Sequence, residues 1–208
     1  MMAKRRTIKR ISDLLPDILI EAQRCDAITA QKVLERAAEN LAYNYGFFRL
    51  TQTFSISATT PTEKVNHVDC YVLYLDEMEA LAVEKIEILV GNETRATGGF
   101  FFKALGGKLY VQKSAVYEDD ARILVYYTAL PSVDDDLSET EALTRGRRVL
   151  LSLALYDLFS MAGTQWGNPD RAAFWMRNFT EALESWTYNE RFRNHTNGII
   201  IANNPFAV

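Results

Sequence analysis

Cysteine and histidine are scarce in this 208-residue chain, and their placement excludes much chemistry. The two cysteines, Cys25 and Cys70, lie far apart and make no CxxC pair. Neither a zinc site nor a disulfide framework is expected, and a reduced cytosolic setting is the default. The two histidines, His67 and His195, match neither a zinc-helix spacing nor a triad. "NHVDC" brings His67, Asp69 and Cys70 close in sequence, yet strand alternation puts Cys70 on the face opposite the other two, which spoils a thiol–imidazole pair. Glycine-rich phosphate cradles are also missing: there is no GxGxxG and no GxxxxGK[ST]. The longest apolar run, around Val149 to Leu155, is broken by Ser152 and followed by Asp157. It falls far short of the roughly 20 residues that span a bilayer, so no membrane partner is expected. The basic start, "MMAKRRTIKRISDLLPDILI", lacks an uninterrupted apolar core and a small-residue cleavage site, and no signal peptide is read there. A net charge of −4 argues against a general nucleic-acid binder.

What is present is ordinary globular material, 48% hydrophobic and 24% charged, enough for one domain or one domain with an insertion. Residues 1–11 carry Lys4, Arg5, Arg6, Lys9 and Arg10 with little to bury, and read as a mobile basic arm suited either to solubility or to contact with DNA phosphates or an acidic partner surface. A short helix is predicted from Ser12 to about Gln23, with Pro16 in its first turn. A second runs from about Thr29 to Tyr43, where Ala30, Val33, Leu34, Ala37, Ala38 and Leu41 recur at helical spacing. The period then switches to two. Leu50, Gln52, Phe54, Ile56 and Ala58 alternate with hydroxyl residues, and further strands are predicted at 69–75, 85–90, 100–105, 108–112 and 121–130. Gly98–Gly99 and Gly106–Gly107 supply turns between them.

Helix returns after Pro131. Ser138 and Glu141 form a capping-box pattern, and the helix is predicted to run to about Ala162, before Gly163. Asn168, Pro169 and Asp170 start a last helix with Ala172, Trp175, Phe179, Ala182, Leu183 and Trp186 as its stripe. The expected fold is therefore α+β. Two N-terminal helices (12–49) and two C-terminal helices (131–193) form an antiparallel bundle, a mainly antiparallel β-module (50–130) is inserted between them, and residues 194–208 form an extended tail.

Two features invite functional readings. The acids Asp134, Asp135 and Asp136 have the hardness of calcium or magnesium ligands but lack the spacing, glycine and distal glutamate of an EF-hand loop. Acids before a helix N-terminus interact favourably with its dipole, which is the simpler reading. The helix after them is apolar nearly all round, with Leu151, Leu155, Leu158 and Phe159 among its residues. Such a helix must be buried on all sides, so a second chain or the β-module is expected to cover its spare face. No cofactor and no metal are assigned.

The layout resembles the head-to-tail adaptor proteins of tailed bacteriophages, the group that includes the tail tubular A proteins of short-tailed phages. "AQKVLERAAENLAYNYGFF" leading into "RLTQTFSIS" carries the likeness, with "GGKLYVQ", "ARILVYYTALPSVDDDLSE", "ALTRGRRVLLSLALYDLFSMAG" and "NPDRAAFWMRNFTEALESW". The resemblance implies a structural virion protein, not an enzyme. It would sit at the head–tail junction as a ring, usually a dodecamer, between the portal protein and a tail or nozzle protein, with genomic DNA passing through its lumen. It would make "NGIIIANNPFAV" a portal-docking tail anchored by Ile199, Ile200, Ile201, Pro205 and Phe206. Two other classes remain open at this point: a metal-dependent hydrolase using Asp134 to Asp136, and a nucleic-acid module using the basic arm.

Overall fold

The computed structural model describes residues 9–75, 79–90, 93–96, 102–105, 108–116, 121–137 and 141–196. The protein is α+β with antiparallel sheets, and the chain divides into two compact units. One comprises Met1–Tyr45 and Ser132–Val208; the other is continuous, Gly46–Pro131.

The first unit is helical. A single 3-10 turn over Ile11–Leu14 leads into α1 (Leu15–Glu21), and α2 spans Ala27–Tyr45. Asp26 starts α2: its carboxylate accepts the Thr29 N–H and hydroxyl, each at 2.8 Å, which holds the acid below its ordinary pKa. The predicted stripe from Ala30 to Leu41 is buried throughout. After Pro131 the helix expected to begin near Ser138 is instead two, α3 (Glu141–Thr144) and α4 (Arg147–Phe159). The break falls at Gly146, which occupies the N-cap of α4 with φ −88° and ψ 0°, and glycine is a poor residue for a helix interior. The cap proposed at Ser138 lies outside the described residues. The last helix, α5 (Pro169–Thr196), begins as predicted, with Asn168 Oδ1 accepting the Arg171 N–H at 3.0 Å. It continues three residues beyond the boundary placed at 193.

α4 is flanked by α2 and α5, and α1 adds to its cover. Val149, Leu150, Leu153, Ala154, Leu155, Leu158 and Phe159 are all buried by this unit. Ala172, Phe179 and Ala182 bring the inner face of α5 to them.

Among its described residues the second unit holds two four-stranded sheets. The strands are β1 (Arg49–Ser55), β2 (Thr62–Val65), β3 (Val68–Tyr74), β4 (Glu79–Val90), β5 (Glu93–Ala96), β6 (Phe102–Leu105), β7 (Lys108–Gln112) and β8 (Arg122–Leu130). Sheet order is β1-β8-β4-β5 in one and β2-β3-β7-β6 in the other. Leu73, Leu109 and Val111 of one sheet meet Ile86, Ile88, Ile123, Val125 and Tyr127 of the other in a single core, so the two sheets pack together around it. Six strands fall where alternation placed them, five of them within about three residues, while β4 starts at Glu79, well before the predicted 85. β2 and β5 were not anticipated. β2 reads TEKV, is almost wholly exposed, and is held by backbone pairing to β3, so no hydrophobic period marks it. The glycine pairs at 98–99 and 106–107 lie outside the described residues.

Candidate functional site

The structure separates the residues that the sequence had grouped. Of the basic arm, Lys4, Arg5 and Arg6 lie outside the described residues. Lys9, Arg10 and Ile11 are anchored, contrary to the expectation of a mobile segment through residue 11. The Lys9 and Arg10 N–H groups donate to Asp13 Oδ2 at 2.9 and 3.1 Å, the Lys9 carbonyl accepts the Leu137 N–H at 2.8 Å, and Ile11 is fully buried. An apolar residue that reaches the core drags its basic neighbours into order.

The three aspartates do not converge on a common point. Asp135 Oδ2 accepts the Ser132 N–H at 2.6 Å and so closes its own turn, while Asp134 and Asp136 are exposed. Among the described residues no group of three His, Cys, Asp or Glu side chains could hold a metal ion. Val133 and Leu137, on either side of the acids, are buried, and the Ser12 N–H donates to the Val133 carbonyl at 2.9 Å. The triplet is the wet side of a strap that ties residues 132–137 to residues 9–13.

The helix face assigned to a neighbouring subunit is corrected. Leu155 and Leu158 are 0% exposed, Phe159 is buried and Leu151 half-buried, all within one chain. α2 and α5 supply the cover that was expected from a second copy. Among the described residues, the large apolar side chains that do face water in this unit are others: Ile20, Ile28, Tyr43, Tyr45, Phe174 and Met176, with Ile28 at 69% and Phe174 at 51%. Large side chains left in water are the usual mark of a docking surface when they gather. The portal-docking residues Ile199, Ile200, Ile201, Pro205 and Phe206 lie outside the described residues.

His67 and its neighbours form a turn. Asn66 and His67 both have positive φ, 50° and 66°, and close a two-residue hairpin between β2 and β3. Asp69 pairs loosely with Lys64 at 3.9 Å, and Cys70 is fully buried, with burial first and then the Asp69 charge raising its thiol pKa. The thiol is inert.

One polar cluster among the described residues was not legible from sequence. β4 carries two register shifts against β8, between Ala80 and Ala82 and between Val83 and Lys85. The second leaves Glu84 as an unpaired bulge residue, and its Oε1 accepts the Arg49 Nε–H at 3.0 Å and the Thr128 hydroxyl at 2.8 Å. Further along, Glu87 accepts the Tyr126 hydroxyl at 2.9 Å and pairs with Lys85, whose ammonium lies 5.6 Å from the Tyr126 ring centre. Burial, and then the Glu87 carboxylate, pushes the Tyr126 phenol up to about 12. Burial works to raise Glu87 as well, but hydrogen bonds from Lys85 and Tyr126 outweigh it and hold this acid below its ordinary range. A phenol locked in its protonated form and a carboxylate locked in its ionised form neither accept nor release a proton near neutrality. The cluster therefore knits β1, β8 and β4 together. Its only advance signal was the acid–base alternation of "AVEKIE", which many exposed strands share.

No family model matches the chain, and no curated protein sequence matches it.

Proposed function

We propose that this chain is a head-to-tail adaptor of a tailed bacteriophage, similar to the tail tubular A group, that forms a ring between portal and tail and passes DNA through its lumen. The observation that carries the reading is the division of the chain. Its helical unit is assembled from Met1–Tyr45 and Ser132–Val208, and its β unit is the continuous stretch between them, Gly46–Pro131. That order supports the finer architecture of a helical bundle with an inserted β-module, the layout on which the resemblance rests. Subunit contacts in such a ring would use the exposed Ile20, Ile28, Tyr43, Phe174 and Met176, since α4 is already covered. The residues after Thr196 would dock on the portal. A net charge of −4 suits a conduit that must not hold its cargo.

Electron microscopy and light scattering of the purified protein, alone and with the portal encoded beside it, test the reading. A ring seated on the portal is the expected result. Failure to bind that portal, or neighbouring reading frames that encode neither portal nor capsid, sinks it.

A further inference from the structure

β1 is an edge strand of seven residues, whereas the other three edge strands, β2, β5 and β6, have four each. Two bonds fix the phase of its ladder: the Ala129 N–H donates to the Phe48 carbonyl at 3.0 Å, and the Ile56 N–H donates to the Ala121 carbonyl at 2.9 Å. Even-numbered residues of β1 thus address β8, and Thr51, Thr53 and Ser55 direct their N–H and C=O groups away from the sheet. All three residues are exposed, and no described residue pairs with these groups. Proteins ordinarily blunt such an edge by shortness, charge or proline. β2 is blunted, being short and carrying Glu63 and Lys64. β1 has no proline, and its one charge is Arg49 at the first position, already engaged by Glu84.

We propose that β1 pairs with β1 of a second copy of this chain, antiparallel, about a two-fold axis through Gln52. The strand is chemically palindromic about that residue: Leu50-Thr51-Gln52-Thr53-Phe54 reads apolar, threonine, glutamine, threonine, apolar in either direction. In this register Thr51 faces Thr53 of the second copy and Arg49 faces Ser55, so the residues carrying outward backbone groups meet one another. Threonine opposite threonine is a favourable cross-strand pair, and no like charges are opposed. On the other face Leu50 meets Phe54 of the second copy. Both are half-buried and rest on the core between the sheets, so that core continues across the axis. Main-chain bonds supply affinity and the palindrome supplies the register. A two-fold contact closes on itself, so it belongs to the free protein and stands independently of the adaptor reading.

Sedimentation equilibrium of the full chain over a range of concentrations is the test, with circular dichroism confirming that each variant is folded. The wild type is expected to pass from one-chain to two-chain mass as concentration rises. Thr51→Lys with Thr53→Lys opposes lysine to lysine and is expected to weaken association by about tenfold or more. Thr51→Lys with Thr53→Glu opposes lysine to glutamate in this register alone and is expected to recover it. A wild type that stays at one-chain mass, a double-lysine variant that associates like wild type, or a lysine–glutamate variant no better than the double lysine each overturns the proposal.

Discussion

The Arg171 guanidinium lies 4.2 Å from the centre of the Phe159 ring, so that the first turn of α5 is stacked on the last residue of α4. The same side chain donates to the Glu21 carbonyl at 2.8 Å and to its carboxylate at 2.6 Å, joining the end of α1 to both. Stacking and two directed bonds are tasks for a planar guanidinium that a lysine cannot reproduce. Replacing Arg171 by Lys or Ala should cost about 1–2 kcal/mol in urea unfolding, the pair being partly open to water and its Coulombic share small. Equal stability of Arg171→Lys and wild type would show that the stack contributes nothing.

Leu155 tests which chain buries α4. It is wholly covered within one copy, so Leu155→Ala should lower stability by about 2–5 kcal/mol in dilute solution, whatever the state of assembly. A variant that unfolds like wild type but associates differently would return this residue to an interface.

Asp157 sits half-buried on α4. Burial raises its pKa more than the facing Arg36 lowers it, so the fold favours its protonated form. A raised group contributes stability that is present at low pH and lost as pH climbs through its folded pKa. Asp157→Asn is therefore expected to be more stable than wild type at pH 7 and to lose that advantage as the acid limit is approached. A pH-independent difference would refute the assignment.

Tyr126 and Glu87 set the opposite ends of the pH range. The Tyr126 phenol ionises at 10 in the unfolded chain and near 12 in the fold, so its stabilising share is intact below pH 10 and lost between about 10 and 12. Glu87, depressed below 4.5, contributes above that value and is lost as pH falls through its folded pKa. Chemical denaturation of Tyr126→Phe should show a flatter alkaline limb than wild type and a weaker acid limb as well, because Glu87 loses one of the bonds that depress it. A wild-type curve with no alkaline loss beyond that of the variant would contradict the bond.

His67 occupies a left-handed turn position that glycine adopts without steric cost. His67→Gly should stabilise the protein by up to about 1 kcal/mol, read as a higher melting temperature. A lower one would mean the imidazole makes a contact that offsets its strain.

Elements that have a period or a cap could be read from the residues alone. α2 was legible because its apolar stripe recurs within every turn or two, and β8 because buried alternation survives in a strand central to its sheet. The α5 start was legible for the same local reason, in Asn168 and Pro169. Tertiary structure decided the rest, because the forces there act between residues distant in sequence. β2 exists only through its pairing with β3. The break at Gly146 follows where the surrounding helices can bury Val149 onward. The Glu84 bulge takes its meaning from Thr128 and Arg49, 44 and 35 residues away. Above all, apolar residues all round α4 told that it would be covered but not by what; α2 and α5 of the same chain do it.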